Sequence, residues 1–229
     1  MNTPWPLGEI PNHLQRPELK QLRELGYVWK YPHEVVDIFE KKMATFTGSK
    51  YAIATDCNTH GIFLVLKYLN SSTKISIPKF TYMSVPMTIH HAGYEFEFDN
   101  REWEGIYQLQ PLNIWDSAGR YHRGMFVGDD NFQILSFQAK KRLPIGRGGM
   151  ILTNNEDAYK WLKKMCYDGR DLNKTQQEDD ITEMGYHMYM TPEDAARGII
   201  IMDSLPEYTD DSYSWKNYKD LTTNTIFKN

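Results

Sequence analysis

The sequence predicts an α/β fold, a mostly parallel sheet with flanking helices. Three observations carry that expectation. Short apolar or β-branched runs recur along the chain, each closed by turn residues or proline. Segments with apolar residues at helical spacing stand between several of them, and strands alternating with helices mark a helix-covered sheet. The chain has 229 residues, 41% hydrophobic and 14% aromatic, so it can bury a substantial core without metals or disulfides.

YAIAT (51–55) reads as the first strand, closed by Asp56-Cys57-Asn58. From Thr59 to Leu69 a helix is expected, because Ile62, Phe63, Leu66 and Leu69 fall on one face. KISIP (74–78) is a strand ended by Pro78. Residues 82–91 read as helix, with Pro86 shifting or weakening its start. YEFEFD (94–99) alternates aromatic and acidic residues, as a half-buried strand does. LNIWD (112–116), FQILSF (132–137) and GMILT (149–153) are three further strands. The next helix spans about 155–167, with Glu156 and Asp157 suited to the positive dipole end and Gly169 as its stop. Residues 168–183 are polar and read as a loop. Thr191-Pro192-Glu193-Asp194 opens a last helix, to about 205, with a cap, a first-turn proline and first-turn acids. The residues after it are polar, with Tyr213, Trp215 and Tyr218 interspersed.

The formal charge of −4 leaves no basic footprint for nucleic acid or a membrane surface. No apolar run reaches the roughly 18 residues of a membrane span, and no signal peptide is visible at the start. The two cysteines, Cys57 and Cys166, form no CxxC pair and read as free thiols in a reducing, cytoplasmic setting. The histidines show no metal-ligand spacing, and adjacent His90 and His91 point to different faces of a helix.

In doubly wound sheets, ligands bind beyond the carboxyl ends of strands. One such end here leads into Asn58-Thr59-His60, one ends in Trp115-Asp116-Ser117, and one ends in Ser136 before Lys140 and Lys141. Together they offer a helix N-terminus, a carboxylate, a hydroxyl and an amine. A phosphorylated pyridine aldehyde would use each: phosphate at the helix N-terminus, ring nitrogen at the carboxylate, aldehyde at the amine. Taken singly, each residue has a plainer reading. A lysine after a strand is usually exposed, Asp116 could cap a turn, Asn58-Thr59 could be an ordinary helix cap, and Tyr82 could be a core or surface aromatic. Gly146-x-Gly148-Gly149 does not follow a strand and open a helix, so it is no dinucleotide fingerprint. Arg142 and Arg147 fit a substrate phosphate or a charged surface.

The segment Ser136-Phe137-x-x-x-Lys141, followed by Gly146-x-Gly148-Gly149, resembles the cofactor-lysine motif of the DegT-type sugar aminotransferases, a family of fold-type I pyridoxal-phosphate enzymes. Lys141 meets both spacings of that motif and Lys140 meets neither. Residues 51–66 resemble the strand, phosphate turn and helix, with Thr59 at the family threonine. Pro78 to Tyr82 resembles the segment whose aromatic stacks on the pyridine, and Trp115 to Ala118 the segment presenting the ring-nitrogen aspartate. Residues 185–191 resemble a loop that reaches into the neighbouring subunit's site. The resemblance covers about 34–218. It implies a fold-type I large domain binding pyridoxal 5′-phosphate through Asn58, Thr59, Tyr82, Asp116, Ser136 and Lys141. It implies an internal aldimine on Lys141 as the catalytic group and a homodimer. The implied reaction moves an amino group from an amino acid, glutamate by resemblance, to a keto sugar, nucleotide-linked by resemblance. The implied organisation is an N-terminal arm (1–33), the cofactor domain (34–190), and a C-terminal helix and tail (191–229) where the family has a small domain.

The chain departs from the family at four points. By the resemblance, the C-terminal small domain is expected to be largely missing. Gly119 stands where a side chain usually bonds the cofactor hydroxyl. His187 and Tyr189 stand where asparagine and arginine are usual, and Asn58 stands where a small residue is usual. Two other readings follow: a shortened, non-catalytic or regulatory cofactor-binding protein, and an aminotransferase for small amino and keto acids.

Overall fold

The computed structural model describes residues 11–228; residues 1–10 of the expected N-terminal arm and Asn229 lie outside the described residues. Two helices precede the first strand, α1 (Glu18–Glu24) and α2 (Glu34–Thr47). The sequence reading assigned neither, although Val35, Phe39 and Met43 recur every four residues in α2 and are fully buried. Then follow β1 (Tyr51–Thr55), α3 (Asn58–Leu69), β2 (Ile75–Pro78), α4 (Ser84–His91) and β3 (Phe96–Asp99). A short β4 (Tyr107–Gln108), also unexpected, precedes β5 (Ile114–Asp116), β6 (Phe132–Ser136) and β7 (Gly149–Thr153). Two helices close the series, α5 (Glu156–Met165) and α6 (Pro192–Met202).

The start signals act as expected. Thr191 accepts a bond from the Asp194 amide at 3.2 Å, and Asn155 one from the Ala158 amide at 2.9 Å. Pro86 is the third residue of α4, inside the first turn, where no intrahelical donor is needed.

The sheet order is β1-β7-β6-β5-β4, with β2 and β3 as a separate parallel pair. Two backbone hydrogen bonds between Ser76 and Gln110, at 2.7 and 3.1 Å, tie that pair to the chain leaving β4. The α/β class holds, but the expectation of a mostly parallel sheet is corrected. Pairings β1–β7, β6–β7 and β4–β5 are antiparallel, and only β5–β6 and β2–β3 are parallel. The cause is local. The loop after β6 returns the chain directly beside it as β7, and a short link joins β4 to β5. Because β7 runs against both β1 and β6, those two share a direction, and β5 follows β6. Three strands therefore deliver Thr55, Asp116 and Ser136 to one edge.

Alternate residues of these strands enter two cores. Ala52, Ala54, Leu135, Met150 and Leu152 pack with α1, α2 and α6; Ile53, Phe132, Ile134 and Ile151 pack with α3, α4 and α5. Burial of both faces explains why the strands read as apolar runs without a polar face. Among the described residues, no helix is long and apolar enough to cross a membrane.

Candidate active site

A cleft of about 650 Å³ opens at the edge where β1, β5 and β6 end. Asn58, Thr59, Tyr82, Asp116, Ser136 and Lys141 all line it, so the structure brings the six sequence-predicted residues to one place. None of them is left outside it.

Asp116 ends β5 and is 5% exposed. Its carboxylate accepts bonds from the Tyr107 hydroxyl at 2.8 Å, the Ala118 amide at 3.0 Å and the Asn58 side-chain amide at 3.3 Å. Burial pushes its pKa above the ordinary carboxylate range, against these donors and the nearby Lys141 charge. Tyr107 is itself buried and its phenol is held well above its usual value, first by burial and then by Asp116. Its single proton goes to Asp116. The Thr81 hydroxyl, 2.5 Å away, therefore donates to Tyr107. This relay braces the carboxylate from behind.

Lys141 sits in the turn after β6, its amide bonded to the Gln138 carbonyl at 2.8 Å. Its amine lies 4.1 Å from the centre of the Tyr213 ring. Burial pushes its pKa down, and Asp116 partly opposes that. Lys140 is exposed, with its amide bonded to the Gln138 side chain. The two neighbouring lysines therefore have different surroundings.

The other end of the cleft is the start of α3. Its first amides have no partner within the helix and carry the positive dipole end. Hydroxyls gather there: Thr59 and Ser84 lie 2.9 Å apart, and Ser136 lines the same cleft. Gly149 is required by this packing, because a Cβ there would come within 2.4 Å of the Cys57 carbonyl carbon and 2.5 Å of the Asn58 nitrogen. Asn58 does more than supply a backbone amide. Its side chain spans from Asp116 to the Ile134 carbonyl, at 3.3 and 3.2 Å.

Behind this helix start, Asp56 bonds His60 at 2.6 Å and Arg147 at 2.7 Å. Burial would raise the Asp56 carboxyl, but the two cations hold it below its usual range. His60 is raised to about 10, first by its bond to Asp56 and then by Cys57. Asp56, Cys57 and His60 bring three potential ligand atoms within 4.8 Å of one another. A protonated imidazole and a guanidinium on the shared carboxylate make this a salt-bridged cluster and disfavour a metal ion. A raised His60 value means its stabilisation is complete below about 6.5 and lost as pH rises through about 10. We expect the melting temperature of the wild type, relative to His60→Gln, to decline across that interval. The pair is partly solvent-screened, so the effect is about 1 kcal/mol or less. Parallel melting curves from pH 6 to 10 with no difference in slope would refute the assignment.

The sequence pattern of the DegT/DnrJ/EryC1/StrS aminotransferase family matches residues 14–103 and 115–221, most of the chain. The chain belongs to that family. The family match takes in all six cleft residues named above but leaves out 104–114, the segment holding Tyr107. One relative is the spore coat polysaccharide biosynthesis protein SpsC of Bacillus subtilis (strain 168). The two are 23% identical over 80% of this chain and 59% of that protein. Among solved structures, the Helicobacter pylori PseC, an aminotransferase involved in the biosynthesis of pseudoaminic acid, superposes with a TM-score of 0.66. It is 15% identical over 83% of this chain and 63% of its own. The putative sugar aminotransferase Spr1654 from Streptococcus pneumoniae, in its PLP form, gives 0.66, at 17% identity over 84% of this chain and 65% of its own. The chain thus spans roughly three-fifths of the length of these family members.

Within this family frame, sequence reasoning missed several cleft residues. Thr81 lies in the Pro78–Tyr82 segment with no role of its own there, and Ser84 and Tyr107 had no motif; only the fold shows that Ser84 faces Thr59, Tyr107 faces Asp116 and Thr81 faces Tyr107. Tyr213 and Tyr218 read from sequence as aromatic residues in a polar tail, and only the fold shows that they line the cleft. His187 turns to Asp168, 2.9 Å away, and Tyr189 packs on Tyr167 with ring centres 4.1 Å apart.

Proposed function

We propose that this cleft binds pyridoxal 5′-phosphate and transfers an amino group from an amino acid to a keto sugar. The observation that carries the reading is the meeting of Lys141 and Asp116 in one cleft that ends at the start of α3. Its donor set fits the cofactor: a buried carboxylate for the ring nitrogen, an amine for the aldehyde, and amides and hydroxyls for the phosphate. When bound, the cofactor supplies an aldehyde that captures amines and a ring that accepts electrons.

The chain's residues divide the remaining work. Asp116, braced by Tyr107 and Asn58, would hold the ring nitrogen's proton by offering it a buried carboxylate. Thr59, Ser136 and the first amides of α3 hold the phosphate. Tyr82, 59% exposed at the mouth, is free to settle on a ring face. The Lys141 amine takes the proton from the donor's α-carbon and returns one to the acceptor's carbon. Its lowered pKa keeps more of it as free amine near neutrality, which a proton carrier requires.

The sugar acceptor is supported by family membership and by the polysaccharide and pseudoaminic acid roles stated for SpsC and PseC. Glutamate as donor, a nucleotide-linked acceptor and a homodimer complete the proposal and rest on the family resemblance. The test is an absorption spectrum of the full chain with pyridoxal 5′-phosphate, before and after glutamate. We expect a visible band that glutamate removes; in the absence of glutamate, borohydride should bleach that band and leave the cofactor covalently attached at Lys141. No band overturns the cofactor reading. A band that no amino acid removes overturns transfer and leaves a non-catalytic binder.

A further inference from the structure

We propose that the segment from Asp211 to Tyr218 forms a wall of the Lys141 cleft from within the same chain, with Tyr213 as a positioning residue for the Lys141 amine. The catalytic meaning of this wall rests on the function proposed above; its geometry does not.

The segment is fastened across the edge where the strands end. Arg120 forks onto Asp211 with bonds of 3.0 and 2.6 Å. The Ser212 amide donates to the Gly119 carbonyl at 3.0 Å, and the Gly105 amide donates to the Tyr213 carbonyl at 2.7 Å. Ser214 bridges to Glu104, and the Trp215 amide donates to the Trp103 carbonyl at 3.1 Å. The chain beneath has been kept bare for it. A Cβ on Gly105, whose φ is +67°, would fall 2.1 Å from the Asp211 carboxyl carbon. A Cβ on Gly119 would fall 3.1 Å from the Tyr213 Cβ. Glycine at 119 thus leaves room for the side chain of Tyr213 from the far end of the sequence.

Tyr213 uses that space in a specific way. Its hydroxyl donates to the Lys140 carbonyl at 3.2 Å, which fixes the ring against the lysine turn. The ring centre then stands 4.1 Å from the Lys141 amine. An aromatic face attracts an ammonium and shields it from water. The other charge bearing on the amine is Asp116. Lys141, half-buried in the cleft, therefore has a π face against its amine and a carboxylate whose charge bears on it. Tyr218 completes the wall; burial raises its phenol, with Asp116 the next cause.

The test is the titration of the Lys141 amine in the cofactor-free chain. It is followed by NMR after reductive 13C-methylation, with the signal assigned by its loss in Lys141→Arg. The π face favours the charged amine, so Tyr213→Leu, which keeps apolar bulk without that face, should lower the titration midpoint. The expected fall is roughly half a unit to one unit. Tyr213→Phe should titrate with the wild type, and Tyr213→Trp, with a stronger face, should move the midpoint upward. A side chain that only supports the fold would change melting temperature and leave these midpoints together. Coincident midpoints in all variants, or an upward move in Tyr213→Leu, would overturn the proposal. The Trp arm decides it even if the Leu variant does not fold, a midpoint unmoved from the wild type or moved downward overturning the proposal. The wild-type spectrum with pyridoxal 5′-phosphate tests the proposed function separately, because the titration needs no cofactor.

Discussion

Lys141→Ala is expected to lower the rate of amino-group transfer by about 10³–10⁴-fold, the upper part of the range for a positioned acid–base group. Its visible band with pyridoxal 5′-phosphate should vanish while far-UV circular dichroism stays as in the wild type. The physical reason is that, of the three lysines that line the cleft among the described residues, Lys140 and Lys219 are exposed whereas Lys141 is half-buried. Lys140 is one residue away, yet the lysine charge that bears on Asp116 is that of Lys141. Lys140→Ala should therefore leave both band and rate unchanged. The informative failure is a Lys141→Ala protein that retains colour and turnover, which would end the assignment of the reacting amine.

Asp116→Asn is expected to cost about 10²–10³-fold in the same rate, the usual scale for removing one preorganised electrostatic partner. The substitution keeps the shape and removes the negative charge that a protonated ring nitrogen needs. It should act on rate far more than on folding. Burial already raises the Asp116 carboxyl, so the apoprotein holds this charge at a cost. Cofactor uptake should accordingly pull the carboxyl down, and difference infrared spectra of the carboxylate stretch would register it. Transfer at nearly the wild-type rate in the Asn variant would show that the ring nitrogen leans on another group.

Most strands were legible because both faces of the sheet are buried. A run such as YAIAT carries its signal in five consecutive residues, and β1 and β7 match the expected bounds. Helices with caps were legible for the same local reason, as Thr191 and Asn155 demonstrate. Strand direction was not legible, because it depends on which neighbour the returning chain meets, and β7 met β6 directly. Of the cleft, the sequence placed what lies within a few residues of a strand end. Tyr107 and Tyr213 escaped because their relevance is set by contacts across the fold, with Asp116 and with Lys141. The tail also lacked a regular period, since it is held by backbone bonds to 103–105 and 119 in place of an apolar face.

The side chain of Asn58 carries a metrical consequence. One short amide joins the first turn of α3 to Asp116 and to the backbone of β6. The two extremes of the cleft therefore cannot drift apart independently, and the site measures its occupant by length. A compound with the same ring and the same anionic group on a longer arm would have to surrender one anchorage to keep the other.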